Sequence, residues 1–217
     1  MALLTPQRIE RAALARSLAI GIGLILLALS TIHFFPPGMW GDDWATYRAG
    51  VHRLFSGGSL YAPFQLAGPY PLRAAAGGFG FVYPPSSVPM VAPVALSGSI
   101  GRAVWFALGP ALYLSGVAAV LRRETGSLHA LWIVPFALAA GPWFPQALAS
   151  GNATLLLAGF LAWAWAVPRT AGAIAGLGLA IKLAMGAIVV WAWRERGWRA
   201  VAIGALVPRS SRSSARC

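Results

Sequence analysis

Long apolar runs alternate with short charged clusters along the chain. Arginine-containing segments separate these runs, which cover residues 17–35, 83–96, 103–121, 125–168 and 171–193. A helix that crosses a bilayer needs about 20 apolar residues. The interval 125–168 is long enough for two such helices, with Pro142, Pro145 and Gly151 as breaks. The pattern therefore predicts an all-α, multi-pass protein with about six transmembrane helices.

The composition agrees with a membrane protein. Of the 217 residues, 58% are hydrophobic and only 10% are charged, with a mean hydropathy of +0.68, which does not fit a water-solvated surface. The formal net charge of +12 would suit a nucleic-acid partner, but such a site needs its basic residues on one solvated face. Here they form short clusters between apolar runs, as topology signals do. We therefore expect no nucleic-acid partner.

The first apolar run predicts the orientation of the chain. Arg8, Arg11 and Arg16 precede it, which favours a cytoplasmic N-terminus in a plasma membrane. A cleaved signal peptide is the alternative, but the run is longer than a typical signal core and no small-residue cleavage site follows it. We predict an uncleaved anchor, so that residues 36–82 form the first outer loop.

Counting six crossings from this anchor assigns a side to each later segment. The count places Arg102 and Asn152 in the cytoplasm and the pair Arg122–Arg123 outside. The positive-inside rule favours the opposite side for that pair. If the short run 83–96 is not counted as a crossing, Arg122–Arg123 lies in the cytoplasm, but the cluster 194–199 then lies outside. The six-crossing count is the one we prefer.

The composition of the sequence changes from apolar to polar near its C-terminal end. An apolar run that begins at Ala200 stops at Pro208, and residues 209–217 are rich in serine and arginine. So short a run cannot cross a membrane. We interpret residues 1–207 as a membrane domain and residues 208–217 as an atypical polar tail produced by truncation or a lost reading frame. A genuine solvated terminus is the alternative.

The outer loop opens with an amphipathic segment, residues 41–55. At 100° per residue, one arc of about 100° holds its apolar side chains, which are Trp44, Tyr47, Val51, Leu54 and Phe55. Arg48 and His52 flank that arc. The pattern predicts an interfacial helix that lies on the outer leaflet with its aromatic face towards the lipid.

Two adjacent aspartates, Asp42 and Asp43, stand at the start of this segment. One aspartate there is typical of a helix N-cap. Two like charges side by side at a membrane surface raise the electrostatic energy, which the capping role does not explain. A catalytic role for one of the two carboxylates therefore remains an alternative to the capping interpretation.

Several motifs follow one another in an order that resembles glycosyltransferase family 87. They are Asp43 and Tyr47 after the first span, residues 58–61, residues 81–85 before the next span, Trp105, and residues 171–182. Members are multi-pass C-type transferases, typified by mannosyltransferases that use polyprenyl-phosphate mannose. The resemblance runs from about residue 13 to 207 and covers the N-terminal half of a typical member.

The resemblance implies transfer of a hexose, mannose in the typical case, from polyprenyl phosphate to a glycan or glycolipid acceptor at the outer face of the membrane. An acceptor hydroxyl attacks the anomeric carbon while an aspartate of the first outer loop takes its proton. A sugar hydroxyl is a poor nucleophile that benefits from such a base. Glu10, Glu124 and Glu195 lie in or beside arginine clusters. Asp43 is therefore the expected base, with Asp42 as its support or replacement.

Six residues are candidate substrate contacts, namely Tyr47, Arg48, His52, Tyr83, Asn152 and Lys182. A lysine inside an apolar helix costs about 2.5–3.5 kcal/mol on insertion scales, so Lys182 is a candidate for the donor phosphate unless it reaches an interface. His52 could contact the acceptor or a lipid headgroup. The family's Gly-Gln-x-Asn motif is altered at residues 151–154, and the proline that usually follows the lysine is Met185.

We expect no cofactor besides the lipid-linked sugar, which is a co-substrate. The three histidines are dispersed, which argues against a protein-built metal site, although Asp42 and Asp43 could hold a divalent ion through oxygen. The expected partners are membrane lipids, the donor and the acceptor. A transporter or lipid flippase is an alternative, but no second copy of the outer-loop arrangement provides the repeat that transporters usually have. An inactive truncated fragment is the other alternative.

Overall fold

The protein is described by a computed structural model that covers residues 6–35, 38, 40–67, 80–167 and 171–182. Side chains are described from residue 13 onward within these ranges, except at 172 and 175. The described residues form helices and no strand, which confirms the all-α prediction. The α-helices are α1 (Pro6–Phe34), α2 (Asp42–Phe55), α3 (Pro63–Leu66), α4 (Val88–Ala95), α5 (Gly98–Thr125), α6 (Val134–Ala139), α7 (Trp143–Ser150), α8 (Thr154–Ala166) and α9 (Ala171–Ile181). Short 3₁₀ helices cover Pro85–Ser87 and His129–Ile133.

Two helices are long and apolar enough to cross a membrane, namely Ala13–Phe34 within α1 and the whole of α5. A third candidate is the broken helix His129–Ala139 with Trp143–Ser150, bent by 79°. The 13 residues of α8 extend only about 20 Å at 1.5 Å per residue. The described residues therefore hold two or three candidate spans rather than six. The run from Ala200 and the tail 208–217 lie outside the described residues.

The predicted span 83–96 is wrong. Its helical part, α4, has eight residues and contains Pro93, so it is about 12 Å long and cannot cross a bilayer. The helix instead packs between α2 and α5. Close approach at Gly101 makes this possible, since a Cβ there would lie 1.7 Å from the carbonyl oxygen of Val94.

This one error reverses the predicted side of the later segments. Arg102 lies beside Gly41, where the outer loop meets α2, and Asn152 contacts Asp43 directly. Both were predicted on the opposite side from Asp43. The pair Arg122–Arg123 ends α5 at the other end of the bundle, so the two ends of α5 carry the reverse of the predicted assignment. The cluster 194–199 lies outside the described residues.

Helices α5 and α8 pack closely and run parallel to each other. The Cβ that Gly109 lacks would lie 3.4 Å from Leu155, and the one that Gly116 lacks would lie 2.8 Å from Ala162. Near the far end, Arg123 donates a hydrogen bond to the carbonyl oxygen of Trp165. Small residues let the two backbones approach, as is usual between membrane helices.

Helix α2 is present, but most of its predicted lipid-facing arc is buried in protein, and only Leu54 and Phe55 at the end of that arc are exposed. Trp44, Tyr47 and Val51 are at most 4% exposed, and they pack in one hydrophobic core with Phe81 and Trp105. Gly50 permits the close approach of Phe81, whose ring carbon lies 2.7 Å from where a Cβ would stand. The amphipathic pattern therefore marks a face that packs against protein.

Gln65 joins the two chain segments on either side of residues 68–79. Its side-chain oxygen accepts hydrogen bonds from the amides of Ala62 and Phe81, both at 3.0 Å. Its amide nitrogen donates to the carbonyl oxygen of Phe81 at 2.9 Å. The side chain is buried, so it satisfies three backbone groups that have little access to water. This clamp holds Phe81 in the core beneath α2.

We expect Gly159→Ala to lower the free energy of unfolding by about 1–3 kcal/mol, because its Cβ would overpack the helix interface. That Cβ would lie 2.8 Å from the backbone of both Leu112 and Tyr113. Gly176→Ala is the matched control, since nothing lies within 4 Å of its Cβ position. Thermal unfolding in detergent measures both variants, and equal melting temperatures would contradict the close packing of α5 on α8.

We expect Gln65→Leu to lower the free energy of unfolding by about 2–4 kcal/mol, since it leaves buried backbone groups without partners. Gln146→Leu serves as the control because Gln146 is exposed. Chemical unfolding followed by tryptophan fluorescence measures the difference. A Gln65 variant as stable as the control would show that the clamp does not hold the loop.

Candidate functional site

A cleft of about 430 Å³ opens beside the first turn of α2. Its volume is within the range of roughly 300–1,000 Å³ that is usual for small-molecule sites. We call it the acidic cleft, and it is lined by Phe35, Asp42, Asp43, Trp143, Gln146, Ala147, Ser150, Asn152 and Thr154. Both aspartates singled out from the sequence therefore face one cavity, together with amide, hydroxyl and aromatic groups.

The start of α2 orients the aspartates without using either of them as a cap. Gly41 is the N-cap residue, with φ of 79°, and no side chain caps the helix. The Gly41 amide donates to the carbonyl oxygen of Ala149 at 2.8 Å, which ties α2 to the end of α7. The interpretation of one aspartate as the N-cap is therefore wrong. Both carboxylates lie in the first turn, where the helix dipole stabilises negative charge.

Asp43 is held by an amide from a distant part of the chain. The side-chain nitrogen of Asn152 donates to Oδ2 of Asp43 at 2.9 Å. The side-chain oxygen of Asn152 accepts from the Thr154 amide at 2.8 Å and from the Thr154 hydroxyl. These bonds fix which end of the Asn152 amide faces Asp43. Among the described residues no donor contacts Oδ1 of Asp43, so that oxygen stays available on the cleft.

Gly151 allows the α7–α8 connection to reach α2. Its φ is 71°, a conformation that side chains rarely adopt, and a Cβ would lie 2.8 Å from Phe106 and 3.1 Å from Trp44. The indole nitrogen of Trp105 donates to the Gly151 carbonyl oxygen at 2.7 Å. Helix α5 therefore holds the α7–α8 connection in place, and Asn152 of this connection lines the cleft.

Tyr47 and Tyr83 support the site from the core and do not line the acidic cleft. Their hydroxyls share a hydrogen bond of 3.0 Å, and the Tyr47 oxygen also accepts from the amide of Ala153 at 3.4 Å. Burial raises the pKa of Tyr47 well above its ordinary value, and the neighbouring Tyr83 hydroxyl and the negative charge of Asp43 raise it further. Burial likewise raises the pKa of Tyr83. Both phenols therefore stay protonated and neutral beside Asp43.

One face of α7 supplies cleft residues that the sequence did not single out. Trp143, Gln146 and Ser150 lie three and seven positions apart, which places them on one side of a helix, and all three line the cleft. Trp143 is 43% exposed, with its ring held edge-on against Tyr113 at 5.7 Å. The sequence signal that could have identified these residues is their helical spacing directly before Gly151 and Asn152. Phe35 completes the cleft from the end of the first span.

The other predicted contacts lie elsewhere. Arg48 and His52 line a second cleft on another side of α2. Lys182 is exposed and directly follows α9. The preceding Ile181 packs in the core with Tyr47, and the Ala180 carbonyl oxygen accepts from Ser86 at 2.8 Å. Lys182 is thus at the same end of the bundle as the acidic cleft but is not among the residues that line it.

The arrangement suits proton transfer to a carboxylate beside a polar ligand. A base must come within hydrogen-bond reach of the proton it takes. Asp43 lines the cavity, and among the described residues no donor contacts its Oδ1. Gln146, Ser150 and Thr154 offer donors and acceptors of the kind that hydroxylated ligands use. Trp143 offers an aromatic surface with a polar edge. A small polyhydroxylated molecule matches this lining.

Comparison with known proteins gives one family. The model described as Glycosyltransferase family 87 matches residues 81–208, more than half of the chain. The matched range contains Tyr83, Asn152 and Lys182, whereas Asp42 and Asp43 precede it. No curated protein and no solved structure matches the chain. With apolar helices that fit a membrane and a model match of this extent, the chain belongs to glycosyltransferase family 87.

Proposed function

We propose that the protein transfers a hexose, mannose by family resemblance, from a polyprenyl-phosphate donor to a glycan or glycolipid acceptor. The observation that carries the proposal is Asp43, which lines the acidic cleft and is held by a hydrogen bond from Asn152 on one of its two oxygens. The proposed site of reaction is the outer face of a plasma membrane, with the N-terminus of the chain in the cytoplasm.

The proposed chemistry is a single displacement. The acceptor hydroxyl oxygen forms a bond to the anomeric carbon as the bond between that carbon and the phosphate oxygen breaks. The hydroxyl proton passes to Asp43, and polyprenyl phosphate leaves as an anion with the bonding electrons. Because the attack comes from the side opposite the leaving group, the anomeric configuration inverts. No metal or other cofactor is required by these steps.

Each group of the acidic cleft has a role in this proposal. Asp42 is the second carboxylate of the cleft and serves as the substitute base. Asn152 is a positioning residue that orients Asp43. Gln146 and Ser150 offer hydrogen bonds to sugar hydroxyls, and Trp143 packs against the apolar face of a sugar ring. Lys182 contacts the donor phosphate from the end of α9, which places a positive charge near the leaving group.

We expect Asp43→Asn to reduce transfer by about 10²–10⁴-fold, the usual contribution of a positioned base. Membranes that carry the protein are supplied with polyprenyl-phosphate mannose and a membrane glycolipid extract, and labelled product is measured. Asp42→Asn is the matched control and is expected to lose less activity, because its carboxylate has no bond to Asn152. Undiminished transfer by the Asp43 variant would falsify the assignment of the base.

We expect Asn152→Ala to lower kcat by about 10–100-fold with little change in KM, because a misplaced catalytic group slows the reaction by this order. Thr154→Val removes the hydroxyl that supports Asn152 and should give a smaller effect in the same direction. Steady-state kinetics with the same donor separate kcat from KM. A rise in KM at constant kcat would instead identify Asn152 as a residue that only binds substrate.

A further inference from the structure

A second cleft, of about 680 Å³, lies beside α2 and has the opposite charge. Its basic residues are Arg48 and His52 from α2 and Arg102 from α5, and no aspartate or glutamate is among the residues that line it. Trp40, Trp44 and Ser99 contribute further to its walls. We call it the cationic cleft. Gly41 lines it as well, so it begins one residue away from the aspartates of the acidic cleft.

The arginines of this cleft have no carboxylate partner. Within the described part of the chain, the ion pair that forms joins Arg123 and Glu124, at the far end of α5. Arg102 lies 5.7 Å from the centre of the Phe106 ring, which holds the guanidinium without neutralising it. Two arginines from different helices therefore face one cavity with their charge unsatisfied. Guanidinium groups of this kind match the oxygens of a phosphate.

The N-terminus of α5 adds to the positive potential. Gly98 and Ser99, the first two residues of this helix, line the cleft. The helix has no side-chain cap, because the Ser97 hydroxyl donates instead to the carbonyl oxygen of Pro93 at 2.6 Å. The first amides of a helix favour an anion. This feature reinforces the arginines and is not needed to define the cleft.

The surroundings indicate where the anion comes from. Helix α5 is one of the two long candidate spans, and a span of 28 residues would have its first turn where the apolar core of a membrane meets the headgroups. Ile100 and Val104 are 72% and 45% exposed beside Arg102. A lipid whose phosphate occupies the cleft would lay its acyl chains along these residues. Trp40, which is 47% exposed, stands at the rim, as aromatic residues do at a membrane interface.

We propose that the cationic cleft binds the phosphate of a membrane phospholipid headgroup. Its position on the other side of Gly41 keeps the bound phosphate in a different cleft from the two carboxylates. The bound lipid would fix the start of α2 against α5. The proposal concerns binding alone and does not depend on sugar transfer at Asp43.

Native mass spectrometry of the detergent-solubilised chain tests this proposal with phosphatidylglycerol as the probe. We expect the wild type to retain one lipid at limiting concentration, and Arg48→Gln with Arg102→Gln together to weaken retention by at least about tenfold, since charge-assisted hydrogen bonds are lost. Arg16→Gln with Arg122→Gln removes the same charge from exposed sites on α1 and α5 and should leave retention unchanged. Equal retention in both double variants would overturn the proposal.

Competition identifies the chemistry and the source of the anion. Glycerol phosphate that displaces the lipid would support a phosphate site open to free phosphates, whereas displacement by intact phosphatidylglycerol alone would support the membrane as the source. Oleate is an anionic lipid without phosphate, so retention of oleate as strong as that of phosphatidylglycerol would contradict phosphate recognition. Circular dichroism of each double variant verifies that the helices remain folded.

Discussion

The hydrogen bond between Asn152 and Asp43 joins the two parts of the chain on which the site depends. Asp43 lies in the first turn of α2, and Asn152 lies in the connection between α7 and α8, 109 residues later. The backbone hydrogen bond from the Gly41 amide to the Ala149 carbonyl oxygen joins the same two parts of the chain. Without these two bonds the first turn of α2 would not be joined to the α7–α8 connection. With them, it belongs to a cavity whose other wall is α7.

Close backbone approach is what makes this junction possible. Gly151 turns with a positive φ beneath Phe106 and Trp44, and Trp105 holds its carbonyl oxygen. Below the junction, α5 and α8 pack through Gly116 and Gly159, so the same helix that anchors the connection also fixes the start of α8. The membrane-spanning part of the fold therefore determines the position of a group that lies outside it.

Helix α2 separates two cavities of opposite charge. Its first turn carries the carboxylates of the acidic cleft, while Arg48 and His52 turn towards the cationic cleft one to three turns later. Its buried side, with Tyr47 and Val51, fills the core between them. This division lets carboxylates and cations stand close together without forming ion pairs, which leaves both available to ligands. One helix thus contributes residues to two cavities with different electrostatic environments.

The sequence by itself determined the helical class, the helix at residues 42–55, the family, and Asp43 and Asn152 as separate candidates, because apolar periodicity and local motifs are properties of neighbouring residues. It placed those two residues on opposite sides of the membrane, and only the structure joins them. Only the tertiary structure decided that α4 is too short to cross, that Arg102 lies beside α2, and that Trp143 and Gln146 face the aspartates. A membrane topology is a count of crossings, so removing one short helix from the count changes the predicted side of the segments that follow it. Contacts between distant residues leave no periodic trace in the chain, and they form only when the helices pack.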